Sequence, residues 1–517
     1  MPLRKIIAQL LRPVSDKTVL LFLLFFSFSG RAQFYNLPTE AFSNTQVERG
    51  LAAHDVTVHS GIQPYLPLLS NKYKYVPDSL QSLKKGSWLR DKLFHRDFID
   101  LEVKGEKFKL HIDPILNLQG GKDFSDTAHL NLYTNTRGII GAGQIGERFY
   151  FETLFAENQS IFPLYVDKQV RSAGVVPGQG RWKSFKDRGY DYAFSSGMFS
   201  YRAGEHLHIQ AGHGKQKMGY GYRSLLLSDN SFNYPYLRLT TQWLKGRLQY
   251  TTIYAALMNL VSASAIINPN TERLFQKKAA AFQYLSINPA KWLNIGLFQG
   301  LVWQAGDSKN RQQLNWNYLN PLLFCNAAVY GLDNKNNLLI GADIRMKLSQ
   351  TFNLYGQYML DRLQKSSKEK SDYGFQVGFN YFSQVIQGLR LQAEYNFVSP
   401  RSYTSSASPF QHYNQALAYG PGEGQELLGT LSYQYKRFFI AGRIQTQLHE
   451  SAYTSANTVN ILNGRAGFVL NPAYQLQVCG GVIVRSQNFH NFRTAENSST
   501  YFYISLRTSL YNLYYDF

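Results

Sequence analysis

Three things are scarce in this 517-residue chain. Cysteine is the first: Cys325 and Cys479 are the only two. Two cannot build a disulfide framework, so a single bridge in an oxidising compartment and a pair of unpaired thiols both stay open. Acidic residues are the second. There are 34 Asp and Glu against 54 Lys and Arg, a formal net charge of +20. That surplus attracts polyanions. Long hydrophobic runs are the third. The most apolar stretch lies within Thr18 to Ser29, with VLLFLLFF at its centre. It is roughly a dozen residues, where a bilayer-spanning helix needs about 20. A membrane form of this chain must therefore be a closed barrel, because open strand edges cannot face lipid.

The same short run reads as part of a secretory signal over residues 1–32. Arg4, Lys5, Arg12 and Lys17 form a basic leader, and Gly30 and Ala32 are small residues flanking a cut after Ala32. Removing this segment takes Arg31 and Asp16 with it and leaves about +16. Nucleic acid is excluded as a partner of an exported protein. Acidic polysaccharide and lipopolysaccharide phosphate remain the natural polyanions. Export to the outer membrane also implies the barrel assembly machinery as a transient partner.

What is abundant is aromatic. Tyr (36) and Phe (35) bring aromatic residues to 15% of the chain, yet mean hydropathy is −0.30. A wet interior and an apolar exterior average to such a value, and the aromatic content excludes disorder. Residues 33–105 carry Pro38, Pro64, Pro67 and Pro77 and read as an N-terminal periplasmic or plug segment. A short helix is expected over Ser79 to Phe94, from Leu80, Leu83, Leu89 and Leu93, with Gly86 interrupting it.

Residues 106–517 read as strand after strand. Leu389, Leu391, Ala393, Tyr395 and Phe397 alternate with Arg390, Gln392, Glu394 and Asn396. Leu110, Ile112, Leu116 and Leu118 alternate with Lys109, His111, Asn117 and Gln119. One face suits lipid and the other water. Spacing predicts an all-β, antiparallel outer-membrane barrel of about 18 strands. Stretches near 158–190, 213–235, 304–336 and 399–424 are too long for tight turns and predict extracellular or infolded loops. Tyr511, Leu513, Tyr515 and Phe517 share one strand face and predict that the chain ends as the closing strand, with its terminal ring at the membrane boundary.

Catalytic signals are weak. Gly141-x-Gly143-x-x-Gly146 matches a dinucleotide fingerprint by letters, but Glu147 to Glu152 after it reads as a strand where the fingerprint needs a helix. No nucleophile–base set can be ranked. His206, His208 and His213 lack the carboxylate or Cys that would complete a metal site. No enzyme activity, cofactor or metal is expected. Two segments differ in kind. Val175 to Asp191 packs Arg181, Trp182, Lys183, Asp187, Arg188 and Asp191 together. Gly212 to Thr241 holds Lys215, Tyr222, Arg223, Asp229, Asn230 and Tyr234. Rings stack on sugar faces, and Arg binds carboxylates in bidentate fashion. These twelve residues are the candidate polysaccharide contacts. The alternative for each is an aromatic girdle with loop–loop salt bridges.

At these segments the chain resembles a known family. The stretches HSGIQPYLPL, WLRDKLFHRDFIDLE, HIDPILNLQGG, VVPGQGRWKSFKDRGYDYAFSSG, GHGKQKMGYGYRSLLLSDNSFNYPYLRL, NYLNPLLF, AEYNFVSPRSYT and HYNQALAYGPG resemble the Wzi-type capsule assembly family, and within it the Bacteroidota branch that includes the gliding motility protein RemB. The resemblance implies a barrel of about 18 strands with a small N-terminal helical part, and a role in anchoring surface polysaccharide or supporting gliding motility with its partner proteins. The N-terminal segment is short for a full helical bundle. An anion-preferring, porin-like channel is a further alternative from the basic composition.

Overall fold

A computed structural model describes residues 45–52, 57–64, 87–103, 105, 107–262, 275–306, 315–332, 336–362, 371–405, 408–449, 457–489, 492–493, 498–508 and 512–517. The expected signal segment 1–32, and residues 79–86 of the expected helix, lie outside them.

Eighteen antiparallel strands close into a barrel. They are β1 (Phe108–Asp123), β2 (Asn131–Ile145), β3 (Phe149–Ile161), β4 (Gly189–Arg202), β5 (Leu207–Gly214), β6 (Tyr234–Trp243), β7 (Leu248–Ser262), β8 (Phe275–Ala290) and β9 (Leu293–Gln304). The second half comprises β10 (Asn337–Lys347), β11 (Phe352–Arg362), β12 (Asp372–Phe382), β13 (Leu389–Val398), β14 (Gly424–Tyr435), β15 (Phe438–His449), β16 (Asn457–Asn471), β17 (Leu476–Phe489) and β18 (Ser499–Thr508). Strand β18 closes on β1, from Tyr501 opposite Asp123 to Arg507 opposite Asn117. Connections alternate strictly. One end has turns of two to six residues and the other has loops of 7 to 32. Short turns mark the periplasmic end of an outer-membrane barrel and long loops its exterior.

Period-two patterning decides which face meets lipid. In β13, Arg390, Gln392, Glu394, Asn396 and Val398 are buried, while Leu391 and Phe397 point outward. In β11, Asn353, Tyr355, Gln357, Met359 and Asp361 turn inward. Outward side chains include Phe199, Val377, Leu427, Ile444 and Ile504, each more than half exposed. A belt of this kind is a lipid surface, far larger than any apolar patch a water-soluble monomer carries.

The lumen is not empty. Helix α1 (Thr45–Ala52) enters at the short-turn end, where Glu48 pairs with Arg390 at 2.7 Å and Arg49 donates to the Ser383 carbonyl. The following segment climbs inward, and Ile62–Gln63 pairs with Lys217–Met218 of the loop after β5. That loop, residues 215–233, folds down into the barrel. Helix α2 (Trp88–Phe94) caps the short-turn end, held by Asn471 on the Lys92 carbonyl and Arg437 on the Phe94 carbonyl.

The chain's end departs from expectation. The closing strand is Ser499–Thr508, and Asn512–Phe517 are not strand. Residues 512–517 lie inside the lumen. Nine residues after Thr508 can span about 30 Å, enough to reach the long-loop end. The row of rings in the tail packs on lumen and loop side chains, so its alternation served a different apolar neighbour from lipid. His206 also differs: it lies in the turn before β5, stacked on Trp243 at 5.2 Å, while His208 is buried against Ser200.

Candidate functional site

Backbone inside a barrel has no ladder to join, so side chains must satisfy it. The infolded loop 215–233 is held this way. Glu394 accepts from the successive amides of Tyr222 and Arg223 at 2.8 and 3.1 Å. Gln357 accepts from the Leu225 amide and donates to the Met218 carbonyl. Gln376 donates to the Arg223 carbonyl. Gln357, Gln376, Asn396, Glu426 and Gln447 stand opposite one another across β11 to β15 and form one inward polar row. The approach is close enough to demand glycine: a Cβ on Gly221 would sit 2.4 Å from the Glu394 carboxylate. Beside this row an apolar core fills the lumen, with Leu225, Leu226, Leu227, Phe282, Phe298 and Phe410 fully buried.

Arg223 is the centre of the packed region. Its guanidinium grips Glu426 through two nitrogens at 3.1 and 2.8 Å and reaches the Asp516 carboxylate at 3.2 Å. Arg443 adds a 3.3 Å contact to Asp516, and Tyr222 donates to the same carboxylate at 2.8 Å. Gln445 and Gln447 cover the Asp516 carbonyl. Burial pushes the Asp516 carboxyl up, but Arg223 and Arg443 outweigh it and hold the group below its ordinary range. Asp229 ties the tail from below, accepting from Asn512 and Tyr514 at 2.9 and 2.7 Å. Lys215 donates to the Asp229 carbonyl. Burial lowers the Lys215 ammonium to about 8, opposed by Asp229.

The long-loop end carries the other set. Helix α3 (Leu164–Ala173) lies in the loop after β3. Tyr165, Val166 and Val170 pack with Phe162, Tyr190 and Tyr192. The tail locks into this cluster: Tyr515 meets Phe162 at 5.8 Å and Phe517 meets Tyr165 at 5.9 Å. Around it lie exposed Arg181, Lys183, Lys186, Asp187 and Asp191. The Arg181 guanidinium sits over the Phe275 ring at 4.8 Å, and Lys186 over Tyr133 and Phe185. Trp182 is half-buried edge-on against Tyr190, and Arg188 pairs with Asp126 at 3.3 Å.

The twelve sequence candidates thus fall into two groups. Arg181, Trp182, Lys183, Asp187, Arg188 and Asp191 come together at the long-loop end. Arg223, Lys215, Asp229, Asn230 and Tyr234 are buried, and Tyr222 reaches only a lumenal cavity. Asn230 donates to the Ala418 carbonyl and Tyr234 packs edge-on against His412. Arg223 as a ligand for surface anions is therefore corrected: both its carboxylate partners are the protein's own.

A second half of the lumen was missed by sequence reasoning. A cavity of about 230 Å³ runs along the β14–β18 and β1–β3 walls. Arg390, Arg443, Arg465 and Arg507 line it with Tyr501 and Tyr503, and no Asp or Glu does. Both cysteines are free thiols.

Comparison with solved structures places this geometry. Over 92% of this chain and 100% of the other, it is similar to Wzi of Escherichia coli, an outer-membrane protein involved in group 1 capsule assembly and described as a carbohydrate-binding β-barrel, with a TM-score of 0.54 at 12% identity. The likeness shows the fold. OpdO of Pseudomonas aeruginosa matches over 77% of this chain and 96% of its own, with a TM-score of 0.44 at 12% identity. A BenF-like porin from Pseudomonas fluorescens Pf-5 matches over 78% and 99%, with a TM-score of 0.45 at 10% identity. No family model and no curated protein matches the sequence. The chain is an outer-membrane barrel.

Proposed function

We infer that this protein is a non-enzymatic surface barrel that holds polysaccharide at its long-loop end. The observation that carries the reading is the exposed cluster of Arg181, Lys183 and Lys186 beside Trp182 and Phe185, above a lumen occupied by the protein's own loop and tail. Arginine and lysine engage uronate or phosphate groups, and rings stack on sugar faces. The barrel architecture shared with Wzi supports a capsule-anchoring role. Binding of purified capsular polysaccharide to detergent-solubilised protein tests it. Affinity falls as salt rises, because exposed charges are screened beyond about 10 Å at 0.1 M. Salt-independent binding, or binding unchanged by Arg181→Ala with Lys183→Ala, overturns it. A knockout separates anchoring from gliding: lost capsule staining with normal spreading favours anchoring, and the reverse favours the motility role.

A second reading has its own observation. The lumenal cavity with four arginines and no carboxylate suits passage of anions. Planar-bilayer recording decides it: an anion-preferring conductance in the full chain supports a channel, and silence dismisses it.

A further inference from the structure

The loop after β9 takes a course of its own. It folds back over the outside of the barrel. Side chains of β7 and β8 that point outward are bonded to its backbone. Tyr254 donates to the Leu319 carbonyl at 2.7 Å, Tyr250 donates to the Pro321 carbonyl, and Gln283 donates to the Asn320 carbonyl at 3.2 Å. Gln299 of β9 accepts from the Ala327 amide at 3.1 Å and donates to Gln283 at 2.9 Å. Gln283 and Gln299 lie mid-way along their strands on the lipid side, yet both are 0% exposed. Ala281, Leu301 and Trp303 are buried beneath the same loop.

Two glutamines facing hydrocarbon would each cost several kcal/mol unpaired, and so would bare loop carbonyls at that depth. Here each answers the other. The loop's exposed side chains are uncharged and largely apolar: Trp316 is 77% exposed, Leu322 63% and Val329 65%. Sequence agrees. Residues 312–332 contain no Asp, Glu, Lys, Arg or His. At the chain's 17% of charged residues, a water-facing loop of that length would carry about three or four. The loops at 162–188 and 399–423 do carry them, in Lys168, Arg171, Arg401 and Glu423. Between the loop and the wall runs a groove of about 720 Å³, lined mainly by apolar side chains, Leu237, Tyr254, Trp316, Leu319 and Val329 among them, with the uncharged Asn317, Asn320 and Asn326. Leu237 and Tyr254 belong to the outward belt.

We propose that residues 315–332 are embedded among the acyl chains of the membrane, and that the groove seats one hydrocarbon chain of a membrane lipid. The occupant is set by three things on the same surface: mid-strand depth, absence of charge, and continuity with the lipid-facing belt. Wall side chains supply the hydrogen bonds that hydrocarbon withholds from an irregular backbone. The loop acts as an apolar clasp that fixes a lipid against the barrel.

Tryptophan quenching tests it on the full barrel in vesicles of phosphatidylcholine brominated at mid-chain. Emission of Trp316 is obtained as the difference from Trp316→Phe, a change at an exposed position. The expected result is at least a two-fold loss of that emission in brominated vesicles and none with aqueous iodide. Quenching by iodide alone places the loop in water and overturns the proposal. Quenching by neither places it under another protein surface and also overturns it. Val329→Trp in the Trp316→Phe background reports on the groove. Bromine quenching there supports the seated chain, and its absence overturns that part.

Discussion

The two halves of the lumen are lined by different strands of one wall and solve opposite problems. Between β5 and β13 the interior is solid. Loop 215–233 and the N-terminal segment fill it, and its carboxylates take partners within the protein, Glu394 on loop amides and Asp343 on Tyr284, with Glu426 of β14 on Arg223 at its edge. Between β14 and β3 the interior keeps a cavity whose charged lining is entirely arginine. Asp516 stands on the boundary. Delivered by the tail, it takes Arg223 from the packed side and Arg443 from the open side. A charge buried in the first half is neutralised within the fold, whereas the second half gathers four arginines on one cavity wall, of which Arg390 pairs with Glu48 and Arg443 with Asp516.

Breaking the packed half should have the largest effect. Arg223→Ala leaves Glu426, 0% exposed, without its cation and leaves Asp516 to Arg443 alone, and should cost about 3–5 kcal/mol, read as a fall in the temperature at which the barrel loses its heat-modifiable gel migration. Removing residues 512–517 comes next. It frees Arg443 and uncaps the cavity, so single-channel conductance should rise above that of the full chain with anion preference; no rise would mean that other elements seal the lumen. Lys215 gives a pH test. Its pKa of about 8 in the fold lies below the ordinary 10.5, so the unfolded chain binds the proton more tightly and stability rises as pH climbs from about 8 to 10.5. Measured as the difference between wild type and Lys215→Met, the midpoint gap should shrink over that window. The smallest effect on stability belongs to the exterior. Arg181→Ala with Lys183→Ala should alter stability by no more than about 0.5 kcal/mol while weakening polysaccharide binding about ten-fold at low salt.

Much of the wall was legible. In β13 and β11 a lipid face and a wet face alternate without a break, so periodicity alone predicts the strands. Strand β2 was obscured by Gly138, Gly141 and Gly143, which carry no side chain to alternate. In β16, Asn460 and Gly464 blur the apolar face. Strands β5 and β6 were absorbed into a loop because Tyr236, Arg238 and Thr240 face a filled lumen, where inward residues need not be uniformly polar. The tail was misread for the same reason: its rings alternate, but toward α3. Arg223 could be read as a ligand residue because Glu426 lies some 200 residues away, and only the closed barrel brings them within 2.8 Å. The cavity arginines come from separate strands, and no local motif links Arg443 to Arg507.

The tail behaves as a gauge of assembly. Asp516 follows β18, while the groups that receive it belong to β15 and the infolded loop. A slip of one residue where β18 meets β1 displaces the strand by about 3.3 Å, more than a hydrogen bond tolerates. A cylinder sealed out of register leaves the Asp516 carboxylate off Arg223 and Arg443, so this contact reports how the first and final strands are joined.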